Sequence, residues 1–235
     1  MIRKRVAILI SGRGSNMAAL IDAASDPAFP AEIVGVVSDK ADAPGLTLAA
    51  SHGIATRVVA RGDFPDKEAH DAAIDVALAF FGAEIVCLAG YMRLLTTGFV
   101  DAWQGRMINI HPALLPSFKG LDTHAKALQA GLRIHGCTVH FVTLDMDGGP
   151  IIAQAAVPVL FDDTEASLAA RVLKAEHHLY PLALRMVAEG KARMEAGRTA
   201  FSGIDQIEQN AGGFLSSPGA IHEAVDLVHL ARITP

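Results

Sequence analysis

Hydrophobic positions in this chain fall into short unbroken runs, and the stretches between them repeat apolar residues at helical spacing. Val6 to Ile10 (VAILI), Glu32 to Ser38 (EIVGVVS), Ala55 to Ala60, Ile85 to Ala89 (IVCLA) and Met107 to Ile110 read as strands. The unbroken apolar ones have the pattern of parallel strands buried on both faces. Met17 to Ala24, Pro44 to Ser51, Asp66 to Phe81 and Thr96 to Trp103 read as the helices that separate them. Such alternation predicts an α/β protein with a doubly wound, mostly parallel sheet and ligands beyond the carboxyl ends of its strands. Past a helix at Thr123 to Ala130 the pattern changes. Gly136 to Leu144 and Ile151 to Val159 are two β runs joined across the turn Asp147-Gly148-Gly149, which predicts an antiparallel hairpin added to the sheet. A long amphipathic helix, roughly Thr164 to Glu189, should cover that sheet, with Asp162, Asp163 and Glu165 favouring its N-terminus.

Composition narrows the class. The 235 residues are 51% hydrophobic and 19% charged, enough for one substantial α/β domain or two small ones. A net charge of −5 argues against a nucleic-acid partner, and no apolar stretch reaches the roughly 18 residues of a membrane span. The basic start, MIRKR, leads into an apolar run too short for a signal peptide, so the expectation is a cytoplasmic protein. Cys87 and Cys137 lie inside apolar runs, as reduced buried thiols do. From about Phe201 glycine, serine and asparagine recur. Residues 1–202 are therefore expected to form the working domain and residues 203–235 an appendage, mildly helical over Ala220 to Leu230.

Candidate chemistry sits where strands end. The block Met107 to His124 (MINIHPALLPSFKGLDTH) places Asn109 and His111 at the end of a strand that Pro112 stops, because proline has no N–H for a ladder. Thr143 to Pro150 (TLDMDGGP) places Asp147 at the shoulder of a glycine turn. The first strand ends at Ser11-Gly12-Arg13-Gly14-Ser15-Asn16 and leads into a helix. Glycines there let a backbone approach an anion, and the first helical N–H groups can hold a phosphate; an ordinary tight turn with a Ser/Asn cap is the alternative. GRGSN is not a full GxGxxG fingerprint. Histidines 124, 135, 140, 177 and 178 show no metal-ligand spacing, and no metal is expected.

Taken together, VAILISGRGSN, AGYMRLL, NIHPALLPSFKG with THAKAL, GCTVHFVT, DMDGGPII and EHHLYPL resemble the phosphoribosylglycinamide formyltransferase family over roughly residues 5–200. The resemblance implies a Rossmann-like formyltransferase fold and an enzyme of purine synthesis. Its small-molecule substrates would be glycinamide ribonucleotide and, as co-substrate, 10-formyltetrahydrofolate. It implies catalysis by Asn109, His111 and Asp147, and ribonucleotide binding by Gly14, Ser15, Asn16, Met17, Ala18, Pro112 and Glu176. Folate would meet Lys67, Met92, Arg93, Leu94, Leu95, Asn109, Thr143, Leu144, Asp145, Met146 and Asp147. Lys67 stands where an arginine often touches the folate tail, keeping the charge without the fork geometry. Asp122 stands where a histidine is common. A monomer or homodimer is expected, with no nucleic acid or membrane partner. Rival readings are a formyltetrahydrofolate deformylase, which usually carries an extra N-terminal domain, and more remotely a dinucleotide-dependent oxidoreductase.

Overall fold

The computed structural model describes residues 2–203 and 216–217. Its main sheet follows the order β3-β2-β1-β4-β5-β6-β7, with β1 (Lys4–Ile10), β2 (Ala31–Ser38), β3 (Thr56–Val58), β4 (Ile85–Leu88), β5 (Met107–His111), β6 (Ile134–Phe141) and β7 (Ile151–Pro158). The first five strands run parallel, and β6 and β7 are antiparallel additions, as the hydrophobic pattern predicts. A two-residue strand, Ser216–Ser217, extends the β7 edge.

Strand alternation divides the core into two layers. Val6, Ile8 and Ile10 of β1 pack with α1 (Ser15–Ser25), α2 (Pro44–Ser51) and α6 (Glu165–Ala188). Ala7 and Leu9 face α3 (Lys67–Phe81) and α4 (Thr97–Ala102) on the other side. α6 buries Leu168, Val172, Leu179, Tyr180, Ala183 and Leu184, and each large aliphatic among them contributes about 1.5–3 kcal/mol of transfer free energy. That face carries the helix through Pro181, whose ring nitrogen offers no N–H to the ladder. Tyr180 is fully buried, and its O–H is aimed at the carbonyls of Leu88 (3.0 Å) and Ile108 (3.1 Å), tying α6 to the carboxyl end of β4 and the start of β5. Both cysteines are free and buried, and burial pushes the Cys87 thiol up to about 12.

Two expectations change. The predicted strand Ala55 to Ala60 is only Thr56–Val58, and all three residues are exposed, because β3 is a sheet edge with a single neighbour and little apolar surface to bury. The stretch after α6 contains a separate hairpin, β8 (Ala192–Glu195) with β9 (Arg198–Phe201), which its mixed polar sequence did not announce. The helix expected over Ala220 to Leu230 lies outside the described residues. Among the described residues no helix is long and apolar enough to cross a membrane.

Candidate active site

The strand order reverses at β1, which has β2 on one side and β4 on the other. At such a switch point the loops after the two central strands diverge and leave a crevice. Here the walls are stitched together. Ser11 N–H donates to the Gly90 carbonyl (3.2 Å) and Met92 N–H donates to Ser11 Oγ (3.0 Å).

On one side of the crevice, Gly14 is the N-cap of α1 with φ of 75°. A Cβ there would lie 2.8 Å from Met17 Cε and 3.1 Å from the Gly45 backbone, so glycine is required by both conformation and space. No side chain caps α1, which removes the Ser/Asn-cap alternative and leaves the first-turn N–H groups for another acceptor. Met17 is buried in the core, so only its backbone can meet a ligand. Asn16 reaches across to α6, where its Nδ2 donates to Glu176 Oε2 at 2.8 Å. Glu176 is 6% exposed, and burial raises its carboxyl to about 7 against the opposing pull of Asn16. A cavity of about 530 Å³ continues outward from Ser15 between the two helices, past Asp22, His177 and His178.

Opposite, Asn109 and His111 lie two apart on β5 and so point to one face, away from the buried Ile108 and Ile110. Asp147 comes from the β6–β7 turn with φ of 51° and brings Oδ2 to 3.4 Å from His111 Nδ1. Gly149 makes that turn possible, since a Cβ there would sit 1.8 Å from the Phe141 carbonyl oxygen. The same Oδ2 accepts the Gly120 N–H at 2.8 Å. Burial pushes the Asp147 carboxyl up, but hydrogen bonds from His140 and Gly120 and the charge of His111 outweigh it and leave it below the ordinary 3.8. His111 Nε2 lies 2.9 Å from the Phe118 carbonyl and must donate to it. Both ring nitrogens thus face acceptors, with Nδ1 turned to Asp147 on the crevice side.

His140, which the sequence offers only as one of several histidines, pairs directly across the ladder from Asn109. Its Nδ1 lies 2.9 Å from the Phe141 carbonyl and donates to it, while Nε2 lies between the Asn109 amide (3.2 Å to Nδ2) and the Asp147 carboxylate (3.7 Å to Oδ1). The Asn109 amide is thereby held against the His140 ring. Behind the loop, the His135 ring packs edge-on against His124 (5.4 Å) and Phe118 (6.2 Å). Burial, reinforced by His124, pushes His135 down to about 4, so it packs as a neutral ring.

The remaining sequence-predicted residues divide by exposure. Met92, Leu94, Leu144 and Met146 are large apolar side chains left exposed around the crevice, a surface suited to a flat ring system. Asp145 is tied to Lys119 at 2.9 Å across the loop, and Thr143 Oγ1 donates to the Asp145 carbonyl. Pro112 lends its carbonyl to Thr123 Oγ1 at 2.7 Å. Ala18 and Leu95 are partly buried, and Lys67 is exposed in the first turn of α3. Arg93 turns away from the crevice. Its guanidinium is bound by Asp71, His70 and the Lys67 carbonyl, so it is not a free cation awaiting a ligand. Asp122 is the N-cap of α5 (Thr123–Gln129) with φ of 59°. Among the described residues no three His, Cys, Asp or Glu side chains converge as metal ligands.

The formyl transferase family pattern matches residues 4–184. Over 198 residues the chain is 42% identical to the phosphoribosylglycinamide formyltransferase of Escherichia coli, covering 84% of this chain and 93% of that one. It is 51% identical over 200 residues to the trifunctional purine biosynthetic protein adenosine-3 of Bos taurus, spanning about a fifth (20%) of that protein's length. The crystal structure of phosphoribosylglycinamide formyltransferase from Brucella melitensis superposes with a TM-score of 0.77 at 60% identity, covering 83% of this chain and 99% of that one.

Proposed function

The chain belongs to the formyl transferase family, and on that premise we propose that it transfers a formyl group from 10-formyltetrahydrofolate to the amine of glycinamide ribonucleotide. The observation that carries the reading is the convergence of Asn109, His111 and Asp147 from two strand ends onto one face of the crevice, with His111 and Asp147 3.4 Å apart. The reading assigns this work to residues 1–202 and leaves 203–235 as an appendage.

The residues would act as follows. The α1 N-terminus at Gly14 to Asn16 holds the ribonucleotide phosphate, and Glu176 accepts hydrogen bonds from its hydroxyls. The amine attacks the formyl carbon uncharged. Asn109 Nδ2–H and the His111 Nδ1–H donate to the oxygen that gains negative charge, each such donor contributing about 3–4 kcal/mol. Asp147 orients His111 through Nδ1 and relays, through water, the proton that the attacking nitrogen releases to the folate nitrogen, whose bond to the formyl carbon breaks as the tetrahedral intermediate collapses and tetrahydrofolate leaves. Met92, Leu94, Leu144 and Met146 supply the apolar walls for the pterin ring, while backbone groups of 92–95 and 143–147 supply its hydrogen bonds.

An absorbance assay for loss of 10-formyl folate, with and without glycinamide ribonucleotide and with the His111→Ala protein as blank, tests the proposal. Turnover that requires the ribonucleotide is expected. Equal loss without it would make the protein a hydrolase and overturn the reading.

A further inference from the structure

His70 is a fully buried histidine that takes no part in the chemistry above. It sits in the second turn of α3, edge-on to Phe64 at 5.4 Å. Its Nε2 lies 2.7 Å from the Val59 carbonyl, and its Nδ1 lies 2.7 Å from Arg93 Nη1. An arginine nitrogen can only donate, so Nδ1 is an acceptor and the proton is on Nε2, donated to Val59. The next residue, Asp71, is also buried. It binds Arg93 Nη1 with Oδ1 and accepts the Thr96 N–H with Oδ2 at 2.7 Å. Arg93 Nη2 donates to the Lys67 carbonyl at 3.1 Å. The loop 90–96 is thus held at three places: at Met92 by Ser11, at Arg93 by His70, Asp71 and Lys67, and at Thr96 by Asp71.

We propose that His70 is a positioning residue which, through Arg93, sets the backbone of loop 90–96 for folate and couples it to the segment that carries Lys67. The inference rests on the proposed function for its ligand and on the structure for its clamp. With the guanidinium turned inward, this loop has only its main chain and its exposed apolar side chains to present to the crevice. Where that main chain lies depends on the inward anchor. One neutral imidazole bridges Val59, just past β3, to Arg93, just past β4, so it joins two walls that the sheet itself leaves apart. Among the described residues the ribonucleotide side, built on α1 and α6, shares none of the His70, Asp71 and Arg93 bonds, and meets this loop only through Ser11.

The test uses the full chain with two substitutions. His70→Phe keeps the ring and its packing on Phe64 but removes both nitrogens. His70→Gln can restore both functions, its oxygen accepting from Arg93 and its amide donating to Val59. Amide hydrogen exchange and steady-state kinetics are read on each. For His70→Phe, faster exchange over 92–96 is expected, with a KM for 10-formyltetrahydrofolate raised about tenfold or more, the scale of one charge-assisted bond. The ribonucleotide KM and kcat should stay within about twofold, since the donors at Asn109 and His111 are untouched. His70→Gln should recover most of both effects. Unchanged exchange in His70→Phe, or equal rises in both KM values, would overturn the proposal. If His70→Phe does not fold, His70→Gln decides alone: native exchange and a native folate KM support the clamp, and a rise in both KM values refutes it. Absence of wild-type turnover would remove the functional reading instead, while the exchange data would still decide whether His70 anchors the loop.

Discussion

Glu176 offers a prediction in which stability and substrate binding move in opposite directions. Among the described residues the carboxyl, buried between α1 and α6, has one donor, Asn16 Nδ2 at 2.8 Å, while Asn16 Oδ1 is buried with no partner. Burial raises its pKa from the ordinary 4.5 to about 7. Below pH 4.5 the folded and unfolded chains both hold this proton, and no penalty arises. Between 4.5 and about 7 the folded chain keeps a proton that the unfolded chain has released, so stability falls as pH rises. Above about 7 the folded carboxylate is charged and the full cost remains. At about 1.4 kcal/mol per pH unit, that cost is about 3 kcal/mol. Glu176→Gln removes it and adds an N–H able to reach the unpartnered Asn16 oxygen. The variant should gain about 3 kcal/mol over wild type at pH 8 and little at pH 4.5, or about 6–12 °C in Tm for a chain of this size. Its KM for the ribonucleotide should rise at least about tenfold at pH 8, because an amide oxygen is a weaker acceptor than a carboxylate. Thermal unfolding of both proteins across pH 4.5–8.5 measures the difference. Parallel curves for the two proteins would refute the argument from burial.

Other expectations follow from the same geometry. His140→Phe, which keeps the ring but removes the nitrogen that lies between Asn109 and Asp147, should lower kcat by roughly 10- to 100-fold, with both KM values nearly unchanged in steady-state kinetics; a smaller loss than for Asn109→Ala is required, since His140 acts through its neighbours and not on the substrate. Asp147→Asn should lose most activity. Because its carboxyl is depressed below 3.8, the stability it contributes is present above pH 3.8 and lost on acidification, so acid titrations of wild type and variant should converge at low pH. Gly149→Ala, with its Cβ placed 1.8 Å from the Phe141 oxygen, should cost more than about 4 kcal/mol or abolish soluble expression; a thermal midpoint near wild type would show that the turn can shift.

Unbroken apolar runs such as VAILI and IVCLA were sufficient to announce buried parallel strands, because burial on both faces leaves no room for alternation. The exposed three residues of β3 carried no such signal, and neither did the polar hairpin β8–β9. Asn109 and His111 were legible because they are local: two residues apart on a strand stopped by proline, they share a face by strand geometry alone. Asp147 was legible because the glycines after it mark a turn that only glycine can make. The motifs also pointed to Glu176, but not to Asn16 as its partner 160 residues away.

What the tertiary structure decided is who faces whom. The β5–β6 register sets His140 opposite Asn109, and one residue of slip would have turned it to the other face. The Phe118 carbonyl and the Gly120 N–H are backbone groups, identical in every residue type, so no side-chain pattern could single them out. Arg93 is the clearest case. In the chain it is one cation in an exposed-looking loop, and only the approach of α3, with His70 and Asp71 in its first two turns, makes it an inward anchor. Local periodicity and turn chemistry act within a few residues and can be read along the chain. Desolvation, tautomer and charge pairing depend on which distant groups packing brings together, and they exist only once the chain has folded.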